Sequence, residues 1–432
     1  MVSNYSIQNP LTFLAYFVAI IIGLNNTLIS QTIAGITIDR LLEMAIFLLL
    51  LPIIVRDALR NRTLFIFAII IFFLVALKSV VLINESAIAN MALDSVLRDI
   101  VRILVFFVIF YLFYFCLKIL GTRAIDILLV VTAPFFVLAF IQHPVTPFTN
   151  IGLEITENLF SGNFIQDTTN KGGYVYAELL KHGFMLRPTG PYGSPVILSY
   201  QLIPIMGLTL YMYIMKKNLI YYFWFLFLFL VSFLTLTRSL ILASSVIFLS
   251  ICFLQMYLKR DRWVILFLFA LSVPVSIFII GQLEFFGRIF SFEDVLVGGD
   301  MSERQIAWLS GFLALFENPL FFNSMDFTEN FKFFCIQSTN CQNYISMHNG
   351  FLRIGRDFTL IGLCLYLFLL IWIFIKSNSL KLHMNILFSS LFFAFLVNTF
   401  FHNNTLFVSE YMILLPIVLL LNIDKDGNLN TL

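Results

Sequence analysis

The run His348-Asn-Gly-Phe-Leu-Arg-Ile-Gly-Arg-Asp-Phe-Thr-Leu-Ile-Gly362 turns from polar to apolar within a few residues and leads into the uninterrupted apolar segment 360–375. That segment is close to the length needed to cross the hydrocarbon core of a bilayer, about 20 residues. Ionisable groups at membrane depth are costly and face a bundle interior or a wet cavity. His348, Arg353, Arg356 and Asp357 at the head of such a segment therefore read as the mouth of a membrane-embedded site on the outer face.

Working outward, the whole chain has the same character. Of its 432 residues 60% are hydrophobic and only 12% charged, against roughly 25% charged in a soluble domain. Mean hydropathy is +0.96. The expectation is an all-α polytopic membrane protein forming one domain over residues 1–432. The high Phe content, with little Gly or Pro in the apolar runs, argues against alternating barrel strands. A net charge of +2 is too small to point to nucleic acid. Residues 1–10 lack a basic region and no small-residue cleavage site follows, so the first apolar segment reads as a retained helix.

The length rule predicts about twelve spans. They fall near 11–28, 41–55, 64–83, 100–120, 125–141, 195–215, 219–236, 240–258, 263–280, 358–375, 385–401 and 406–421. Every even-to-odd connection is short and basic. Arg56, Arg60 and Arg62 follow the second span, Lys118 and Arg123 the fourth, and Lys216 and Lys217 the sixth. Lys259, Arg260 and Arg262 follow the eighth, and Lys376 and Lys381 the tenth. The positive-inside rule puts these connections and both termini in the cytoplasm. Two long polar insertions, 142–192 and 281–347, then lie outside.

The first insertion closes on Arg187-Pro-Thr-Gly-Pro-Tyr-Gly-Ser-Pro195, a rigid turn leading into a span. Arg187 at the membrane surface is either a snorkelling side chain or a ligand. Spans seven and eight meet at Leu234-Thr-Leu-Thr-Arg-Ser239, so Arg238 is either an anchor or an anion ligand. In the second insertion Asp300-Met-Ser-Glu303 fits a capping box. A helix is expected from there to Phe316, stopped by Asn318-Pro319. Its apolar stripe would be Ile306, Leu309, Phe312, Leu313 and Phe316. Arg304 sits in its first turn, where the helix dipole disfavours it, and shares a face with Trp308. Cys335 and Cys341 in one outer insertion can pair in an oxidising compartment. No Cys, His and carboxylate spacing reads as a metal site.

A lone His in a membrane protein is more often structural than catalytic. Topology, however, sets Arg187, Arg238, Arg304 and His348 at one level. Several guanidinium forks with one titratable base suit a phosphate-bearing substrate and proton transfer.

These motifs resemble the bacterial O-antigen polymerase and O-antigen ligase superfamily. The stretch from His348 is similar to its His-Asn, hydrophobic, acidic, Gly-x-x-Gly pattern, with Asp357 in the acidic place and Gly362 as the last Gly. Arg187-x-x-Gly190 resembles its Arg-x-x-Gly approach to a span, and Thr237-Arg238-Ser239 its Ser-Arg hairpin. Arg304, Trp308 and Asn318-Pro319-Leu320 resemble its external segment. Thr359 departs from the family by standing where the first Gly is usual. Phe322 and Ser324 replace two glycines, and Arg353 and Arg356 add charge. The resemblance covers residue 187 to the C-terminus.

What the resemblance implies is inverting glycosyl transfer without metal or cofactor at the periplasmic face of the bacterial inner membrane. The substrates would be glycans on undecaprenyl pyrophosphate, as donor and as acceptor. His348 would be the base, and Arg187, Arg238 and Arg304 would hold the pyrophosphate. Arg288, which precedes Gly299 at a spacing found in some polymerases, and Arg353 and Arg356 are further substrate-binding candidates; the last two could instead pair with Asp357. Two sizeable outer insertions favour a polymerase, with a chain-length regulator as a further partner, over a ligase acting on lipid A core. A lipid-linked oligosaccharide transporter is the remaining alternative, but it would carry its charges in a central cavity.

Overall fold

The computed structural model describes residues 10–25, 27, 32–33, 36–89, 93–160, 186–235, 237–257, 303–320, 324–336, 349–378, 382–401, 411 and 413–421. In chain order its helices are α1 (Pro10–Gly23), α2 (Ile38–Arg60), α3 (Arg62–Ala89), α4 (Leu93–Leu120), α5 (Thr122–Ile141) and α6 (Thr149–Phe160). Then come α7 (Pro195–Lys216), α8 (Leu219–Leu234), α9 (Arg238–Tyr257), α10 (Glu303–Glu317) and α11 (Ser324–Ile336). The last are α12 (Gly350–Asn378), α13 (Leu382–Phe401) and α14 (Leu414–Leu421). A two-residue hairpin, β1 (Thr32–Ile33) with β2 (Ile36–Thr37), precedes α2. Five of the described helices contain stretches long and apolar enough to cross a bilayer: Arg62–Val81, Thr122–Ile141, Pro195–Lys216, Gly350–Ser377 and Met384–Phe401. The chain is thus a helical protein with the character of an integral membrane protein. The expected span near 263–280 lies outside the described residues.

The helices start where the sequence supplies a cap. Asn61 accepts from Thr63 and Leu64 N–H, Ser194 from Val196 and Asn218 from Ile220, which satisfies amides that a new helix leaves without carbonyls. Pro195 follows Ser194 as the first helical residue of α7, where a missing N–H costs nothing.

α1 packs against α4 and α5, and α2, α3 and α4 pack on one another. α7 lies on α8 and α13, α13 on α9, and α12 bridges α3 and α13. One large core joins these helices; Phe67, Phe110, Phe113, Phe136, Tyr192, Phe225 and Tyr366 are fully enclosed in it. Phe72, Phe73, Leu48, Leu49 and Ile371 remain outward. An apolar residue on both the inner and outer sides of one helix suits burial in lipid rather than water.

Several ion pairs of the described residues lie at the bundle's ends. At one end Lys118 Nζ donates to Asp57 at 2.5 Å. Lys216 and the Tyr221 hydroxyl both donate to Asp126. Two basic residues of the short connections, Lys118 and Lys216, are thus partnered by acids within that end. α3, running away from it, carries Lys78 to the opposite end; α5 carries Gln142 there and α8 carries Thr235.

A smaller cluster lies apart. α10 packs on α11 and on α12, burying Ile306, Ala307, Ala314, Leu315, Phe327, Phe331 and Leu352. The expected stripe of α10 is corrected by this packing. The buried face is Ile306, Ala307, Ser310, Gly311, Ala314 and Leu315, while Phe312 and Phe316 are exposed. Small residues face inward because α12 comes close: a Cβ on Gly355 would lie 2.7 Å from Leu315 Cδ2. The helix does begin at Glu303 and end before Asn318-Pro319; Asp300 lies outside the described residues.

Candidate functional site

The turn bearing Arg187 is built from Gln142, the residue just past α5. Its Oε1 accepts from the Thr189 and Gly190 amides at 3.0 and 2.9 Å. Its Nε2 donates to Thr156 Oγ1 at 2.6 Å and to the Gly190 carbonyl at 3.3 Å. A single buried amide thus ties α5, α6 and the turn together. Gly190 adopts φ 56°, which a side chain disfavours, and a Cβ there would meet the Phe135 carbonyl at 3.1 Å.

Held in this way, Arg187 reaches the joint between α8 and α9. Its Nε donates to the Thr235 carbonyl at 3.0 Å and its Nη2 to Thr237 Oγ1 at 2.9 Å. Arg238 is the first residue of α9. Two arginines 51 positions apart are therefore joined through one three-residue segment. The next residue, Ser239, donates to Asn398 Oδ1 of α13 at 3.2 Å, and Asn398 Nδ2 donates to the Tyr411 hydroxyl at 3.4 Å. Both pairs are buried, and a hydrogen bond between buried groups fixes helix register because breaking it strands both partners.

α13 carries the path onward. Trp308 of α10 packs edge-on against Phe400, with ring centroids 5.0 Å apart, and also meets Phe401. Its indole Nε1 and the Thr399 hydroxyl are buried without a hydrogen-bond partner among the described residues. The first turn of α10 bears Arg304. α10 and the start of α12 run side by side in the same sense: Gly355 meets Leu315, and the Leu360 amide bonds the Pro319 carbonyl at 3.0 Å. Extending this register back sets the start of α12 about level with Trp308. Asn349, which is 2% exposed, caps that start by accepting from Phe351 and Leu352 amides.

The structure therefore brings the Arg187 turn, the start of Arg238's helix and the first turn of the helix bearing Arg304 to one end of the bundle. The side chains of Arg238 and Arg304 are outside what the structure describes, as are His348, Arg288 and Cys341. Asn349 marks where the chain arrives from His348. Cys335 is disulfide-bonded. Its partner lies outside the described side chains, and Cys116 and Cys364 are free thiols.

Arg353 and Arg356 both pair with Asp357, at 3.6 and 3.2 Å. Lys78 of α3 joins them at 3.2 Å. Immediately beyond, α12 breaks. Thr359 has φ 65° and ψ 178°, a region almost reserved for glycine, at the position where the resembling motif has Gly. Gly362 then has its own steric reason, since a Cβ there would lie 2.2 Å from Phe358 Cβ.

Gln142, Asn398 and Lys78 are the residues that sequence reasoning missed. Lys78 carries a signal, being the sole charge in the apolar run 64–83. Asn398 is a polar amide inside a span. Nothing in the sequence singles out Gln142 from other residues that follow a span. No protein-family model, curated protein or solved structure matches the chain.

Proposed function

We propose that this chain is a membrane glycosyltransferase that polymerises oligosaccharide repeat units carried on undecaprenyl pyrophosphate, at the periplasmic face of a bacterial inner membrane. The observation that carries the reading is the Arg187 guanidinium bonded to the segment that opens Arg238's helix. A guanidinium fork held at that joint suits a pyrophosphate, whose negative charge grows as it leaves. In the proposed step the acceptor sugar hydroxyl attacks the anomeric carbon of the donor glycan. The bond from that carbon to the pyrophosphate oxygen breaks, the lipid pyrophosphate departs with the electron pair, and His348 takes the hydroxyl proton.

About twelve spans with both termini cytoplasmic, and outer insertions at 142–192 and 281–347, complete the proposal. The disulfide at Cys335 supports an oxidising compartment on that side. The arginine-bearing turn and helix starts at the end beside these insertions favour transfer over transport.

The test is a reconstituted reaction of purified protein with undecaprenyl-pyrophosphate-linked repeat units, read on a gel. A ladder of lipid-linked products without lipid A core is the expected result. Transfer only after lipid A core is added would make the chain a ligase. Movement of the lipid-linked glycan across a vesicle membrane with neither product would overturn the enzyme reading. Within the assay, Arg238→Ala and His348→Ala should each abolish or impair the ladder while the protein still inserts.

A further inference from the structure

α5 is long and apolar enough to cross a bilayer, whereas the 12-residue α6 that follows it is too short. α6 packs across the very end of α5. A Cβ on Gly152 would lie 2.9 Å from the Gln142 amide nitrogen and 3.0 Å from the Ile141 carbonyl carbon. The short helix therefore sits level with the last residue of a span, which is the level of the bilayer boundary.

The surface of α6 divides into three faces. Thr149, Gly152, Leu153 and Thr156 are buried against the protein; Thr156 bonds Gln142, and Leu153 packs on Leu186. Asn150, Glu154 and Asn158 are polar and exposed. Ile151, Ile155 and Leu159 are apolar and exposed, with Phe148 exposed just before the helix begins. At 3.6 residues per turn the three helical ones fall within about 80° of arc. The protein-facing side is thus small and largely polar, and the largest apolar side chains point away from it. Depth decides what covers them. α5 itself leaves Val130 and Val137 exposed, so lipid reaches to within one turn of the end on which α6 lies. The nearest apolar medium for the stripe is the acyl region of the same bilayer, and a helix with one apolar and one polar free face settles along such a boundary.

We propose that α6 is an in-plane membrane anchor, lying along the bilayer surface with Ile151, Ile155 and Leu159 among the acyl chains and Asn150, Glu154 and Asn158 toward water. Its partner is lipid, met by apolar burial; Glu154 has the wrong sign to seek anionic headgroups. Through Thr156 and Gln142 the anchor also sets the depth of the Arg187 turn. The inference stands on the span and the stripe, not on turnover. If the glycosyl-transfer reading also holds, this is the depth at which a lipid-linked pyrophosphate arrives.

The test uses the full-length protein in nanodiscs of phosphatidylethanolamine and phosphatidylglycerol, in a Cys364→Ala background because Cys364 is an exposed free thiol. A nitroxide is attached at Ile155→Cys or at Glu154→Cys. Power saturation then measures its collisions with oxygen, which concentrates in lipid, and with a neutral nickel chelate, which stays in water. The oxygen-to-nickel ratio should be several-fold higher at position 155 than at its neighbour 154. Should either variant not fold, Leu159→Cys and Asn158→Cys make the same comparison one turn on. A ratio on the stripe as low as on the polar face would overturn the proposal by placing the stripe in water. Few collisions with either reagent on the stripe would overturn it by placing a protein surface there, a second copy of this chain or another partner. Because no turnover is read, failure here is separate from failure of the transferase reading.

Discussion

Replacing Thr359 offers a sharp test, because the expected order of two variants is the reverse of the ordinary one. In a regular helix glycine is about 1 kcal/mol less favourable than alanine. At Thr359 the backbone sits at φ 65° and ψ 178°, where a residue with a Cβ carries strain of order 1–3 kcal/mol. Alanine keeps the Cβ and the strain, whereas glycine loses both. Both variants delete the Thr359 hydroxyl, which is buried with no partner among the described residues, so that contribution cancels between them. Subtracting about 0.5–1 kcal/mol for the greater unfolded-state freedom of glycine leaves about 1 kcal/mol in its favour. Thr359→Gly should therefore melt above Thr359→Ala, by about 2 °C for a chain of this size, in detergent at one fixed scan rate. If alanine melts at or above glycine, the break in α12 does not have this backbone conformation. The hold of the Pro319 carbonyl on the Leu360 amide at 3.0 Å would then need another cause.

Other perturbations separate the site's roles from its scaffold. Gln142→Leu removes four hydrogen bonds at once and strands the buried Thr189 and Gly190 amides. At about 1–3 kcal/mol for each stranded group, it should lower the melting temperature by several degrees, and an unchanged melt would show that the Arg187 turn is held otherwise. Arg187→Ala should cut glycosyl transfer about 10²–10³-fold, the usual loss when a preorganised donor to developing charge is removed; a stability loss with undiminished turnover would make Arg187 structural. Cys335→Ser should abolish the mass gain of 2 Da expected on reducing a disulfide and cost roughly 2–3 kcal/mol if the closed loop is short. Loss of the same mass gain in Cys341→Ser would assign the partner.

Much of the helical framework is legible in the chain, because apolar length is a local property. The described helices Arg62–Ala89, Thr122–Ile141, Pro195–Lys216 and Leu382–Phe401 fall within a few residues of the spans read from hydropathy. Caps such as Ser194-Pro195 and Asn218 are local too. The inward face of α10 is not. Phe312 and Phe316 look like core by their chemistry, yet Ala307, Ser310, Gly311 and Ala314 are inside because another helix must approach closely there.

The sequence by itself determined that the chain is helical and apolar, where several of its long helices lie, and that its arginines flank turns and helix starts. Those properties follow from residue chemistry at short range. Only the tertiary structure decided that Gln142 clamps the Arg187 turn, that Arg187 bonds the joint before Arg238, and that Lys78 meets Asp357 across 279 positions. It also turned Thr359 from an odd residue in a motif into a strained one. Such contacts depend on which helices pack together, and an apolar helix surface carries little information about its neighbour until side-chain shapes and the few buried polar groups are matched.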